Sequence, residues 1–245
     1  MNKEGVWIEE FPIRSFDSDL NGKCKLTSLL QFFQEVAWHH AEYCGFGYSN
    51  LIKNNRFWVL AGLTIEVIEY PDWDDMIEVH TWPKGMVRLF ALRDFSMKKN
   101  EKTFCNGTTT WLVLDLNTLR PQKPEVVFDK FIEFVYIDAI KELPHKVKYP
   151  ENIIQSIEID TRYSDLDVNK HTNSIKYIEW SLDSIYNQLP DNKNIRKLTV
   201  NFLSESRLND TIILSNSDIN SNQILITAKN ITTKKEVFRI QMDIC

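Results

Sequence analysis

The sequence Thr161-Arg-Tyr-Ser-Asp-Leu-Asp-Val-Asn-Lys-His-Thr-Asn-Ser174 sets Asp167, Asn169 and His171 at alternate positions. Side chains at this spacing point to the same side of an extended segment. A carboxylate, an amide and an imidazole would then converge on one small volume, where they could position and activate water. The segment therefore predicts an active site.

An amphipathic helix is predicted directly after this segment. From Ser174 onward, apolar residues recur at intervals of three and four, at Ile175, Ile178, Leu182, Ile185 and Leu189. This spacing is typical of a helix that buries one face. Thr172 or Asn173 would cap its start. Because unpaired N–H groups at a helix N-terminus favour negative charge, we expect an oxyanion to be stabilised there.

The same polar pattern occurs earlier in the chain. With Arg14 aligned on Arg162, the recurring residues are Asp17, Asp19 and Asn21, opposite Asp165, Asp167 and Asn169. Lys23 then stands opposite His171, and aligning Leu63 with Leu198 places Tyr70 opposite Glu205. The chain is therefore predicted to contain two copies of an internal repeat. His171 and Glu205 occur only in the second copy, so that copy is expected to be catalytic and the first degenerate.

Each copy is predicted to contain a strand, a long helix and several β-rich runs. The first helix is expected at about residues 27–44, with Ser28 and Gln31 in capping-box spacing. Alternating apolar and polar residues in the β-rich runs indicate a sheet with one face packed on the helix. We expect an N-terminal domain at residues 1–120, a proline-containing connector at 121–153 and a C-terminal domain at 154–245.

Composition restricts the class of protein. The 245 residues are 43% hydrophobic and 12% aromatic, which is enough for one large core or two smaller ones. A net charge of −5 argues against nucleic acid as the main ligand. No run has the length of a membrane span, and the first ten residues lack a targeting pattern. The four cysteines have no metal-site spacing, so we expect reduced thiols, no metal, no cofactor and a cytoplasmic location.

The sequence resembles the acyl-acyl carrier protein thioesterases of plant plastids and bacteria. The sharpest match is Ser164-Asp-Leu-Asp-Val-Asn-Lys-His-Thr-Asn-Ser-Ile-Lys-Tyr-Ile-Glu-Trp180, which follows the family's Asp-x-Asn-x-His-x-Asn pattern. Other segments similar to the family are Ile13-Arg-Ser-Phe16, Gln34-Glu-Val-Ala37, Phe57-Trp-Val59 and Tyr70-Pro-Asp-Trp-Asp74. The resemblance covers most of the chain.

The resemblance implies an α+β tandem hot dog fold, in which each of two antiparallel sheets wraps a long helix. It implies that Asp167, Asn169, His171 and Glu205 form the catalytic set, and that the acyl chain binds mainly in the first domain. Trp58 is a candidate for lining that acyl site. Asn173 is a second candidate for substrate binding, although its position also suits a helix cap. Ser206 stands where plant members commonly carry cysteine, which argues against a thiol nucleophile.

The resemblance implies a hydrolase. The enzyme would cleave the thioester of fatty acyl-acyl carrier protein to free fatty acid and holo-carrier protein, which terminates fatty acid synthesis. Glu205 or Asp167 would accept the proton of the attacking water, while Asn169 and His171 orient water and thioester. Direct attack by Asp167 to give a mixed anhydride is an alternative route.

The partner implied is an acyl carrier protein bearing a phosphopantetheine-linked acyl chain. Because the carrier is acidic, Arg88, Lys98, Lys99 and Lys102 are candidates for docking it. A homodimer is also compatible with the sequence, although it would need an interface beyond the tandem repeat. Competing functions are an acyl-coenzyme A thioesterase, a hot dog dehydratase or hydratase, and a non-catalytic sensor of acyl thioesters.

Overall fold

The chain divides into two units in a computed structural model that describes residues 5–128, 135, 137–189, 194–217 and 222–245. The first unit comprises Met1–Ala61 and Ile65–Leu143, and the second comprises Gly62–Thr64 and Pro144–Cys245. None of the helices that the structure describes combines the length and apolar character needed to cross a bilayer.

The first unit is a sheet with two helices. Its helices are α1 (Leu26–Tyr43) and α2 (Tyr48–Lys53), and its strands are β1 (Trp7–Pro12), β2 (Arg56–Val67), β3 (Met76–Val87), β4 (Phe90–Lys99), β5 (Lys102–Asp115) and β6 (Pro121–Gln122). The strand order is β1-β3-β4-β5-β2, with β6 paired to β5. Neighbouring strands from β1 through β3 and β4 to β5 run antiparallel. Short 3-10 turns lie at Ser15–Asp17 and Pro124–Val126.

Helix α1 packs against the face of this sheet through aromatic side chains. Phe33 stacks on Phe95 of β4 with ring centroids 4.3 Å apart, and Phe32 contacts Phe11 of β1. Gly107 on β5 lies directly beneath Phe33, because a Cβ built there would come within 2.4 Å of the phenylalanine ring. The absence of a side chain at Gly107 thus lets the helix approach the sheet closely.

The predicted capping box of the first helix is wrong. The N-cap residue is Lys25, whose side chain makes no capping hydrogen bond, and Ser28 is buried within the first turn. A backbone hydrogen bond holds the residue before α1 instead: the amide of Lys25 donates to the carbonyl of Asp17 at 2.8 Å.

The second unit repeats the plan. Its elements are β7 (Ile153–Asp160), a 3-10 turn (Tyr163–Asp165), α3 (Ser174–Ile185), a further 3-10 turn (Tyr186–Gln188), β8 (Ile195–Phe202), β9 (Thr211–Ser217), β10 (Gln223–Asn230) and β11 (Glu236–Ile244). The strand order is β8-β11-β10-β9-β7, with antiparallel neighbours. Tyr177 of α3 contacts Phe238 of β11 and Phe202 of β8.

Each unit therefore places one long helix on an antiparallel sheet, preceded by a strand and a 3-10 turn. The predicted α+β tandem hot dog fold is confirmed. The helix predicted after Ser174 is also confirmed, although it ends at Ile185 and continues to Gln188 only as a 3-10 turn.

Candidate active site

The predicted catalytic loop is a tight turn and not an extended segment. The amide of Asp167 donates to the carbonyl of His171 at 2.8 Å, and Leu166 and Thr172 form a bridge across the base of the turn. Lys170 adopts a positive φ of 62° to complete the reversal. The expectation that alternate side chains converge through strand geometry was therefore wrong, because the chain folds back on itself.

The carboxylate of Asp167 shapes this turn. Its Oδ1 accepts hydrogen bonds from the amides of Asn169 (2.8 Å) and His171 (3.2 Å), as a short carboxylate in a turn often does. Its Oδ2 lies 3.4 Å from the side-chain Nδ2 of Asn169. The turn thus brings Asp167, Asn169 and His171 together in one loop, with the carboxylate partly occupied by backbone donors.

Glu205 contacts this loop although it lies in a different part of the sequence. Its Oε2 lies 3.2 Å from Nε2 of His171, and the two side chains remain 47% and 27% exposed. An imidazole and a carboxylate that are in contact and reachable by solvent can hold a water molecule and receive its proton. The segment that follows β8 supplies Glu205, so the pair joins residues far apart in the chain.

Arg207 also binds Glu205 and was not singled out from the sequence. Its Nη2 and Nε donate to Oε1 of Glu205 at 2.7 and 3.0 Å, which leaves Oε2 facing His171. The guanidinium therefore fixes which carboxylate oxygen meets the imidazole. Its position two residues after Glu205 was the only sequence signal that could have suggested this contact.

The start of α3 is capped by Asn173. Its Oδ1 accepts from the amide of Ile175 at 3.0 Å, and its backbone carbonyl accepts from the amide of Lys176 at 2.9 Å. The prediction that Thr172 or Asn173 caps this helix is confirmed for Asn173. Two of the amides that were expected to stabilise an oxyanion are thus already bonded at the start of the helix. Side-chain donors in the loop remain as candidates for that role.

A buried set of hydroxyl groups lies behind the His171 and Glu205 pair. Ser206 Oγ is 2.7 Å from Thr172 Oγ1 and 2.8 Å from the Tyr177 hydroxyl. The amide of Ser206 donates to the Tyr177 oxygen at 3.0 Å. Ser206 is fully buried, so its hydroxyl does not face the solvent side of the loop.

The first unit contains the same turn, with Lys23 at the position equivalent to His171. Asp19 Oδ1 accepts from the amides of Asn21 (2.8 Å) and Lys23 (2.9 Å). Lys23 forms an ion pair with Asp72, with Nζ and Oδ1 2.6 Å apart. The turn of the first unit therefore carries an ion-paired lysine where the turn of the second unit carries His171.

Trp58 lies on β2 of the first unit, within an aromatic cluster. Its indole Nε1 donates to the carbonyl of Phe46 at 2.9 Å, and its ring contacts Phe128 at 5.8 Å between centroids. The cluster also contains Ala41 and Leu51. A small open pocket beside it is lined by Asn50, Leu51, Asn54, Arg56, Val126 and Val127.

In the part of the chain that the structure describes, no three His, Cys, Asp or Glu side chains converge in a way that could hold a metal ion.

A long helix on an antiparallel sheet in each unit defines a tandem hot dog protein, and its second unit brings His171 and Glu205 into contact beside the start of α3. The model of the acyl-ACP thioesterase N-terminal domain matches residues 4–135, and that of the acyl-ACP thioesterase C-terminal domain matches residues 149–244. The chain belongs to the acyl-ACP thioesterase family.

Relatives and solved structures agree with this assignment. The chain is 27% identical over 222 residues to oleoyl-acyl carrier protein thioesterase 2, chloroplastic, of Arabidopsis thaliana, covering 83% of this chain and 60% of that protein. It is 28% identical over 231 residues to thioesterase 1 of the same plant, covering 86% and 64%. It therefore spans less than two thirds of the length of these relatives. A crystal structure of an acyl-ACP thioesterase from Bacteroides thetaiotaomicron is similar over 100% of both chains, with 26% identity and a TM-score of 0.85.

Proposed function

We propose that this protein hydrolyses the thioester of fatty acyl-acyl carrier protein to a free fatty acid and holo-carrier protein, and so terminates fatty acid synthesis. The observation that carries the proposal is the contact between His171 Nε2 and Glu205 Oε2 at 3.2 Å. It lies within the residues that match the family's C-terminal domain. Membership of the family and the names of the relatives support the acyl-ACP substrate.

The reaction needs a base, a held water and a donor for the developing oxyanion. Water attacks the thioester carbonyl carbon and gives its proton to the His171 and Glu205 pair. A carbon–oxygen bond forms, and negative charge moves to the carbonyl oxygen. When the carbon–sulfur bond breaks, the departing thiolate recovers the proton, so that water and thioester become acid and thiol.

Glu205 is the carboxylate that we assign as proton acceptor. It contacts the imidazole directly, whereas Asp167 directs one oxygen to two backbone amides and the other towards Asn169. This arrangement favours attack by water over direct attack by Asp167. With the amides of Ile175 and Lys176 occupied, the Asn169 side-chain amide is the donor that we assign to the carbonyl oxygen.

The acyl chain is proposed to bind in the first unit, which carries Lys23 and Tyr70 at the positions equivalent to His171 and Glu205. The aromatic cluster around Trp58 supplies apolar surface there. Replacing Trp58 with alanine should change the preference for chain length while leaving the turnover of a short acyl thioester largely unchanged. Unchanged chain-length preference would remove Trp58 from the substrate site.

The carrier protein is proposed to dock through basic residues of the first unit. Lys99 is 2.5 Å from Asp75, and Lys102 is 3.9 Å from Glu69, so these two cations are already paired within the chain. Arg88 and Lys98 become the better candidates for binding the acidic carrier. Since exposed charge interactions weaken with salt, hydrolysis of acyl-ACP should fall with ionic strength more than hydrolysis of a small thioester.

A cytoplasmic location and a homodimer are further proposals for this protein. Cys24, Cys44, Cys105 and Cys245 are all free thiols, which supports a reducing compartment. Fractionation of the source cells would test the location. Light scattering on the purified protein would test the dimer.

The experiment that tests the function measures thiol release from C8 to C18 acyl-ACP and acyl-coenzyme A thioesters, with wild type and His171→Ala side by side. We expect turnover of acyl-ACP that the substitution lowers by about 10²-fold. Preference for coenzyme A substrates would instead support an acyl-coenzyme A thioesterase. Formation of an enoyl product would support a dehydratase, and binding without thiol release would support a sensor.

A further inference from the structure

The hydroxyl groups of Thr172, Ser206 and Tyr177 form one directed set of hydrogen bonds. Thr172 Oγ1 donates to the Ser206 carbonyl at 3.2 Å, which uses its only proton. In the arrangement consistent with that bond, Ser206 Oγ donates to Thr172 Oγ1 and the Tyr177 hydroxyl donates to Ser206 Oγ. The Tyr177 oxygen in turn accepts from the Ser206 amide at 3.0 Å. Each hydroxyl donates one hydrogen bond, and the backbone amide and carbonyl of Ser206 both take part in the set.

The equivalent residues of the first unit carry no such set. Cys24 stands opposite Thr172, Leu29 opposite Tyr177 and Pro71 opposite Ser206. The backbone link is nevertheless kept, because the amide of Cys24 donates to the carbonyl of Pro71 at 2.8 Å and that of Thr172 to the carbonyl of Ser206 at 2.9 Å. The hot dog turn therefore forms without the hydroxyls, and their presence beside the catalytic pair calls for a reason other than folding.

Resting on the proposed hydrolase function, we propose that Tyr177, together with Thr172 and Ser206, is a positioning cluster for the His171 and Glu205 pair. Thr172 directly follows His171, and Ser206 directly follows Glu205. Bonds that clamp residues 172 and 206 to each other and to α3 therefore fix the backbone from which both catalytic side chains extend. Within the pair, Glu205 is 47% exposed and His171 is 27% exposed, so both are less enclosed than the hydroxyl groups behind them.

Burial makes the cluster suited to this role. Tyr177 and Thr172 are 4% and 5% exposed, and Ser206 is 0% exposed, so none of the hydroxyls meets substrate or bulk water. Burial raises the pKa of Tyr177, with smaller opposing contributions from its hydrogen bonds. The phenol therefore stays protonated at neutral pH and remains a donor.

Substitutions that remove one hydroxyl at nearly constant volume test the cluster. We expect Tyr177→Phe and Thr172→Val each to lower kcat by about tenfold to a hundredfold with KM changed by less than about twofold, since small misplacements of reacting groups cost this much. Thr172→Ser keeps the hydroxyl and should restore most of the rate. Ser181→Ala is the matched control: its buried hydroxyl on the same helix donates only to the Tyr177 carbonyl, at 2.7 Å.

A double-mutant cycle separates positioning from general destabilisation. In a Glu205→Gln background, Tyr177→Phe should cost less than about twofold further, because the pair that it positions is already lost. Independent losses that multiply would overturn the proposal, as would Thr172→Val with wild-type kcat.

A crystal structure of Tyr177→Phe gives a readout that does not depend on turnover. The separation of His171 Nε2 and Glu205 Oε2 should lengthen from 3.2 Å. An unchanged pair would overturn the positioning role. Absence of hydrolysis in wild type would overturn the proposed function alone, since the crystallographic comparison still decides what Tyr177 does.

Discussion

Asp19 and Asp167 shape the same turn in the two units. Each carboxylate accepts from the amides two and four residues ahead, at 2.8 and 2.9 Å for Asp19 and at 2.8 and 3.2 Å for Asp167. The turn is therefore common architecture. What distinguishes the second unit is the residue that ends the turn: His171 meets Glu205 there, whereas Lys23 meets Asp72 in the first unit.

Replacing Asp167 with asparagine separates its charge from its shape. An asparagine oxygen can still accept both backbone hydrogen bonds, so the melting temperature should hardly change. We expect hydrolysis to fall by about 10²-fold, because the negative charge that faces Asn169 and borders His171 is lost. The change would be measured as thiol release from acyl-ACP.

The equivalent change in the first unit, Asp19→Asn, is the control and should leave the rate near that of wild type. Wild-type hydrolysis by Asp167→Asn would show that Asp167 serves only the turn.

Asn173 is expected to act as a helix cap and not as a substrate contact. Asn173→Ala should lower the free energy of unfolding by about 1 kcal/mol, whereas Asn173→Ser keeps a capping oxygen and should stay within a few tenths. Denaturant unfolding measures both. Hydrolysis by Asn173→Ser at a rate far below wild type, with stability retained, would instead place the amide in the substrate site.

The repeat could be predicted from the sequence because it is a pattern of residue type, and the same alignment singled out His171 and Glu205. Aligning the copies placed Glu205 opposite Tyr70, and the structure brings Glu205 to His171. The shape of the loop could not be predicted, because Asp167 bonds its own backbone and Lys170 adopts a positive φ. Contacts of Arg207 and Tyr177 were missed since they depend on which side chains face the loop after folding.

Element lengths were also harder to predict than element types. The β-rich run from Met76 to Trp82 predicts a strand that ends before Pro83, yet β3 continues to Val87. The ladder with β4 shifts register between Pro83 and Gly85, so the strand accommodates the proline at an irregularity and then resumes. Proline marked a local break in pairing there, and not the end of the strand.

His40 should make the first unit less stable in acid. Burial, and then the nearby Arg93 charge, lower the pKa of His40 to about 3 from an ordinary value of 6.5. The imidazole is neutral and accepts from Arg93 Nη1 at 3.1 Å. His40 takes up a proton near pH 6.5 in the unfolded chain but stays neutral in the folded chain at that pH. Its contribution to the free energy of unfolding is therefore fully present above pH 6.5. It should fall by up to ~1.4 kcal/mol per pH unit on acidification towards pH 3.

Urea unfolding at a series of pH values measures this slope. His40→Asn keeps an acceptor without titrating, so its slope over this window should be shallower. His145→Asn, which alters an exposed histidine, should keep the wild-type slope. An identical slope in wild type and His40→Asn would contradict the assignment.

Gly107 should tolerate no side chain while Phe33 is present. A Cβ at this position would lie 2.4 Å from Phe33 Cε2, and Phe33 is held by its stacking on Phe95. Gly107→Ala should therefore cost about 1–3 kcal/mol in the free energy of unfolding. Adding Phe33→Leu should recover part of that loss. A fully additive double mutant would show that the two positions do not share the contact.

The central claim is that His171 and Glu205 act as one catalytic unit, and it is tested most directly by hydrolysis rates of four proteins. These are wild type, His171→Ala, Glu205→Gln and the double variant, assayed on acyl-ACP. We predict that each single change lowers kcat by about 10²-fold. The kcat of the double variant should be scarcely lower than that of the slower single variant. A single variant with wild-type kcat, or losses that multiply in the double variant, would contradict the account.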